Sequence, residues 1–60
     1  MKKILVIDDA EFILESTSSL LEFEGYYVLT AENGRIGFEK AIEHKPDLIL
    51  CDISMPVMDG

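Results

Sequence analysis

The chain reads as an α/β protein with a small parallel sheet, built in the order β-α-β-α-β. Three observations carry that prediction. Two short aliphatic runs, Ile4-Leu5-Val6-Ile7 and Leu48-Ile49-Leu50-Cys51, each stop on acids, Asp8-Asp9 and Asp52. Uninterrupted runs bounded by charge are the pattern of strands buried on both faces of a parallel sheet. Between them, segments of helical spacing alternate with a β-rich segment, as parallel strands joined by right-handed crossovers require.

The first strand is expected over Lys3–Asp9 and the first helix over Ala10–Glu24, with Gly25 placed to end it as the residue after the C-cap. The best apolar stripe of that helix is Ile13, Thr17, Leu20 and Leu21. Phe12, Leu14 and Phe23 fall off it, for the flanks or for solvent. Ser16-Thr17-Ser18-Ser19 weakens the middle of the helix, so packing must help to hold it. Tyr26–Ala31 is β-rich and suits an edge strand. Asn33 offers an N-cap to a second helix over Gly34–Lys45, with Phe38, Ala41 and Ile42 facing the core. Gly37 weakens that helix but permits close approach to the sheet. Pro46 precedes the last strand, Asp47–Ile53, and Met55-Pro56 opens a loop. A helix over 10–24 and a strand over 3–9 have matching lengths, roughly 22 and 23 Å.

Sixty residues make at most one small domain with a marginal core. An apolar share of 48% argues against disorder. Twelve acids against five bases give a net charge of −7, which disfavours direct contact with nucleic acid or an anionic membrane. The longest purely apolar runs hold four residues, too few to cross a membrane. Lys2-Lys3 before an apolar run resembles a signal peptide only until the run meets Asp8-Asp9. One cysteine forms no internal disulfide, which fits a cytoplasmic location, and Cys51 reads as a small buried hydrophobe. His44 reads as a solvated surface residue.

Neighbouring parallel strands end on one edge, where open α/β sheets bind ligands, so Asp8, Asp9 and Asp52 are expected to meet there. Two charges about 5 Å apart repel by roughly 3 kcal/mol at an effective dielectric near 20. Protonating one acid or binding a divalent cation relieves that repulsion. Hard oxygen donors with no nearby histidine or thiolate favour Mg²⁺ or Mn²⁺ over Zn²⁺. A purely structural role is the alternative for Asp8-Asp9, as a cap on the first helix that favours its dipole. The third acid, after a second buried strand, tips the reading toward metal.

The ordered set Asp8-Asp9, Gly25-Tyr26, Ala31-Glu32-Asn33-Gly34, Lys45-Pro46-Asp47-Leu48 and Asp52-Ile53-Ser54-Met55-Pro56-Val57-Met58-Asp59-Gly60 resembles the receiver domain of two-component response regulators, without a gap over the whole chain. The resemblance implies a flavodoxin-like α/β fold with strand order 2-1-3. It implies that Asp52 accepts a phosphoryl group from a sensor histidine kinase or phosphotransfer protein. Asp9 and Asp52 would ligate Mg²⁺ directly, Asp8 mainly through water, and the main-chain carbonyl of Ser54 would add a ligand. The Ser54 side chain would tune hydrolysis of the acyl phosphate, or only bond its own backbone. Pro56 would stiffen the loop, and Asp59 would cap a following helix.

The departure from the family is length. Residues 1–60 correspond to the N-terminal half of a receiver domain, and the family's phosphate-reading hydroxyl, paired lysine and aromatic switch residue belong to the other half. No lysine here substitutes: Lys2 and Lys3 open the first strand at the wrong end, and Lys40 and Lys45 belong to the second helix and the loop after it. Strand 47–53 is expected to present an open edge with Leu48 and Leu50 exposed, pairing with a second copy or with a complementary C-terminal half. Two functions follow as expectations: a phosphoacceptor module, not an enzyme in its own right, or a half-domain that self-associates without signalling. A different phosphoaspartate enzyme fits poorly, because such hydrolases often carry an acid where Ser54 stands.

Overall fold

The computed structural model describes residues 2–51. Five elements follow in order: β1 (Lys3–Ile7), α1 (Glu11–Phe23), β2 (Tyr27–Ala31), α2 (Gly34–His44) and β3 (Leu48–Cys51). The strands are parallel in the order β2-β1-β3, the order expected from the resemblance. The chain steps one way from β1 to β2 and back across β1 to reach β3. Crossovers of one hand therefore place α1 and α2 on opposite faces.

The central strand alternates between those faces. Ile4 and Val6 pack with Leu14, Leu21 and Val28 under α1, whereas Leu5 and Ile7 pack with Leu29, Ala31, Ile36 and Ala41 under α2. Buried on both faces, β1 behaves as its aliphatic run predicts. β3 does not, and its residues are exposed throughout. Neither helix packs on β3, because both sit over β1 and β2. Cys51 is accordingly exposed and not buried as expected.

The helices bury only part of the expected stripes, Leu21 on α1 and Ala41 on α2. In α1 the buried residue is Leu14, with Leu21 beside it, while Ile13 and Leu20 are exposed. In α2 Ile36, Gly37 and Ala41 turn inward, and Phe38 and Ile42 are 59% and 60% exposed. On each helix the exposed members of the expected stripe are covered by no element among the described residues. Phe12 and Phe23 are exposed.

Local chemistry sets the element ends. Gly25, at φ +98°, closes α1: its N–H donates to Glu22 O at 3.0 Å and the Tyr26 N–H to Leu21 O at 3.1 Å. These are the paired bonds of a Schellman motif. Asn33 Oδ1 accepts from Ile36 N at 2.9 Å and caps α2, as expected. Ser18 Oγ donates to Leu14 O at 2.6 Å, so one hydroxyl of the serine-rich run bonds within its own helix. At the far end of the sheet, Asp47 N donates to Lys3 O and Lys3 N to Asp47 Oδ2, each at 2.8 Å, which fixes the start of β3 against β1. His44 lies at the end of α2, partly exposed, with its carbonyl accepting from Lys3 Nζ at 3.0 Å.

Candidate functional site

The carboxyl edge of the sheet is built first by register. Ile7 of β1 lies opposite Ala31 of β2 and Cys51 of β3, so all three strands reach this edge in register. β1 stops at Ile7 and not at Asp9, because the next residue turns the chain. Asp8 N still donates to Ala31 O at 3.0 Å, but the Asp8 carboxylate accepts from Ala10 N at 2.9 Å. This is an Asx-type turn, in which a side chain bonds the backbone two residues on. Asp8 therefore helps to launch α1, whose N-cap, Ala10, makes no side-chain cap of its own. Capping and ligation are compatible, since a carboxylate has more lone pairs than this one bond uses.

The two acids differ in setting. Asp8 is buried, at 7% exposure, and Asp9 is exposed. Asp9 lines an open groove of about 550 Å³ that runs between the start of α1 and the start of α2 at the end of β2. Glu11, Glu15 and Glu32 share that lining, and Lys40 stands among them. Lys40 Nζ donates to the main-chain carbonyl of Thr30, bridging α2 to the outer side of β2.

Asp52 and Ser54, with Met55, Pro56 and Asp59, lie outside the described residues. Of the expected ligands, the structure thus places Asp8 and Asp9 together at the end of β1. Among the described residues no three acid, histidine or cysteine side chains converge to hold a metal ion. The chemistry of Asp8 and Asp9 still fits Mg²⁺. Both are hard oxygen donors, no histidine or thiolate shares the groove lining, and an open, wet groove suits an ion that keeps several waters.

The sequence reading missed Lys40 as a structural group and the acids Glu11, Glu15 and Glu32 as a groove rim. Helical spacing carried the signal. Ile36 and Lys40 sit four apart, and Ile36 packs on the core, so Lys40 follows it along the face toward β2.

Comparison with known proteins gives a consistent picture. The family described as "Response regulator receiver domain" matches residues 4–60. The alkaline phosphatase synthesis transcriptional regulatory protein PhoP of Bacillus subtilis is 48% identical over 59 residues, 98% of this chain and 25% of PhoP. The chemotaxis protein CheY of the same organism is 46% identical over 59 residues, 97% of this chain and 49% of CheY. Among solved structures, chemotaxis protein CheY4 of Vibrio cholerae superposes with a TM-score of 0.91 at 41% identity, covering 97% of this chain and 48% of that one. The chain spans about half the length of the CheY proteins and a quarter of PhoP.

Proposed function

The chain belongs to the response regulator receiver domain family, and from that membership we propose that it is a phosphoacceptor module of a two-component system. Asp52 takes the phosphoryl group of a phosphohistidine on a sensor kinase or phosphotransfer protein. Its carboxylate oxygen attacks phosphorus in line, the P–O bond forms as the P–N bond breaks, and the electron pair leaves on the imidazole nitrogen. Asp9, Asp52 and the Ser54 carbonyl would hold Mg²⁺ directly, and Asp8 mainly through water. When bound, the ion neutralises charge on the phosphoryl oxygens.

The residues themselves do the positioning. Asp8, buried and bonded to Ala10 N, fixes the turn that leaves Asp9 at the groove. The pairing of Ile7 with Cys51 brings Cys51, the residue before Asp52, beside that turn. That register, inside a family match reaching residue 60, is the observation that carries the reading. Switching of an output belongs to a complete receiver domain, and the module acts there as an acceptor and not as an enzyme on a separate substrate. Its place in the cytoplasm is part of the same proposal.

The test is phosphorylation with a small acyl phosphate and Mg²⁺, read by intact mass. One added phosphate that disappears in Asp52→Ala and persists in Ser54→Ala supports the reading. Labelling that survives Asp52→Ala overturns it. A second reading, a half-domain that self-associates without signalling, is favoured by the exposed Leu48, Ile49 and Leu50 of β3. No labelling, together with an oligomer by size exclusion, selects it.

A further inference from the structure

The two edges of the sheet are not alike. Tyr27 N donates to Lys2 O, and Ala31 O accepts from Asp8 N, so these residues of β2 turn their main-chain groups toward β1. Alternation along a parallel strand then turns the main-chain groups of Val28 and Thr30 outward. No strand lies beyond β2 among the described residues. Such an edge is a template for a further strand, and Tyr27–Ala31 carries no charge to oppose one.

Lys40 crosses this edge from α2, with its amine on the outward carbonyl of Thr30. The groove between α1 and α2 opens at the same place, with Thr30, Ala31 and Ile36 in its lining. An entering strand would have to displace the amine from Thr30 O and bury its charge or drive it out to water. A lysine on an edge is a recurring means of blocking edge-to-edge pairing.

We propose that Lys40 guards the free edge of β2, and that without its amine the edge pairs with a second copy of this chain. The second copy is the occupant because the outward groups are self-complementary. An antiparallel pair about a two-fold axis at Leu29 sets Val28 opposite the second copy's Thr30, and Thr30 opposite its Val28. Each such pair exchanges both N–H and C=O groups. Both strands at that contact are uncharged, while the rim acids Glu11, Glu15 and Glu32 repel their counterparts and make pairing salt-dependent. The proposal is independent of phosphoryl chemistry at Asp52.

The experiment compares the unaltered chain, Lys40→Met, Lys40→Leu and Lys40→Arg at about 1 M NaCl, where the screening length is about 3 Å. Sedimentation velocity reads association, and amide hydrogen exchange reads which edge pairs. Two neutral variants run side by side, so a folding defect in one does not decide the result. Lys40→Met and Lys40→Leu are expected to dimerise more strongly with concentration and to slow exchange at Val28 and Thr30 at least tenfold. Lys40→Arg, which keeps the cation, is expected to match the unaltered chain. Exchange at Val28 and Thr30 unchanged by loss of the amine overturns the proposal. So does association that slows exchange only at Leu48 and Leu50, which belong to the other edge.

Discussion

Gly37 is where a single methyl group tests the packing under the site. It is buried in α2 directly above Ile7, the last residue of β1 before Asp8. A Cβ added there would lie 2.7 Å from Ile7 Cγ1 and nearer still to Cδ1. Two effects of Gly37→Ala oppose each other. Alanine is favoured over glycine inside a helix by about 1 kcal/mol. Forcing a methyl into a filled contact costs about 1–3 kcal/mol. Ile7 is packed on this face with Leu5 and Ala31, so it has little room to turn away. We expect the clash to win, with a net loss of about 1 kcal/mol. The assay is urea unfolding at one fixed protein concentration, since stability of an associating chain depends on it. A double-mutant cycle with Ile7→Val removes Cδ1, the nearest atom, and costs about 0.5–1.5 kcal/mol alone. If the contact is the cause, the two changes together cost less than their sum by about 1 kcal/mol. Gly37→Ala that stabilises the chain equally with Ile7 and with Val at position 7 would refute the close approach.

Three further outcomes follow from the same structure. Gly25→Ala meets no neighbouring atom, so its effect is that of a left-handed backbone, a loss of about 1–2 kcal/mol in urea unfolding. Mg²⁺ at about 100 times its dissociation constant should stabilise the chain by about 2.7 kcal/mol, read as a raised Tm, and Asp9→Ala should abolish the rise. Leu50→Lys, on the open strand β3, should lower the sedimentation coefficient at high concentration, since a charge on an exposed edge opposes pairing.

The fold was legible because its signals are local. The run Ile4–Ile7 marks a strand buried on both faces, Asn33 caps the helix it precedes, and Gly25 ends the helix before it. The placement of Asp8 and Asp9 was legible for the same reason, since both follow directly from where β1 ends. Periodicity placed Leu21 and Ala41 on the core and misplaced the rest of each helix face. A stripe that joins Ile13 and Leu20 to Leu21 records what a helix can bury, not which part a given sheet covers. Lys40 escaped notice because its partner is a main-chain carbonyl ten residues away, and carbonyls leave no mark in a sequence.

The misplaced faces still carry information. At 100° per residue, the expected stripe on α1 is turned from the observed buried face by roughly 60°, and that on α2 by roughly 120°. Both turns point the same way, from β2 toward β3. Glu15 and Ser18 of α1 and Ile36 and Lys40 of α2 line the groove at β2, whereas Ile13 and Leu20 on one face and Phe38 and Ile42 on the other are exposed on the opposite flanks. In register, Leu48 and Leu50 share the face of Ile4 and Val6 under α1, and Ile49 shares that of Leu5 under α2. Each face of the sheet therefore carries exposed apolar side chains, both on the helix flank and on β3. Leu48, Ile49 and Leu50 of β3 are exposed together with the uncovered flanks of both helices. One edge of the sheet is closed by Lys40, and the apolar surface collects at the other.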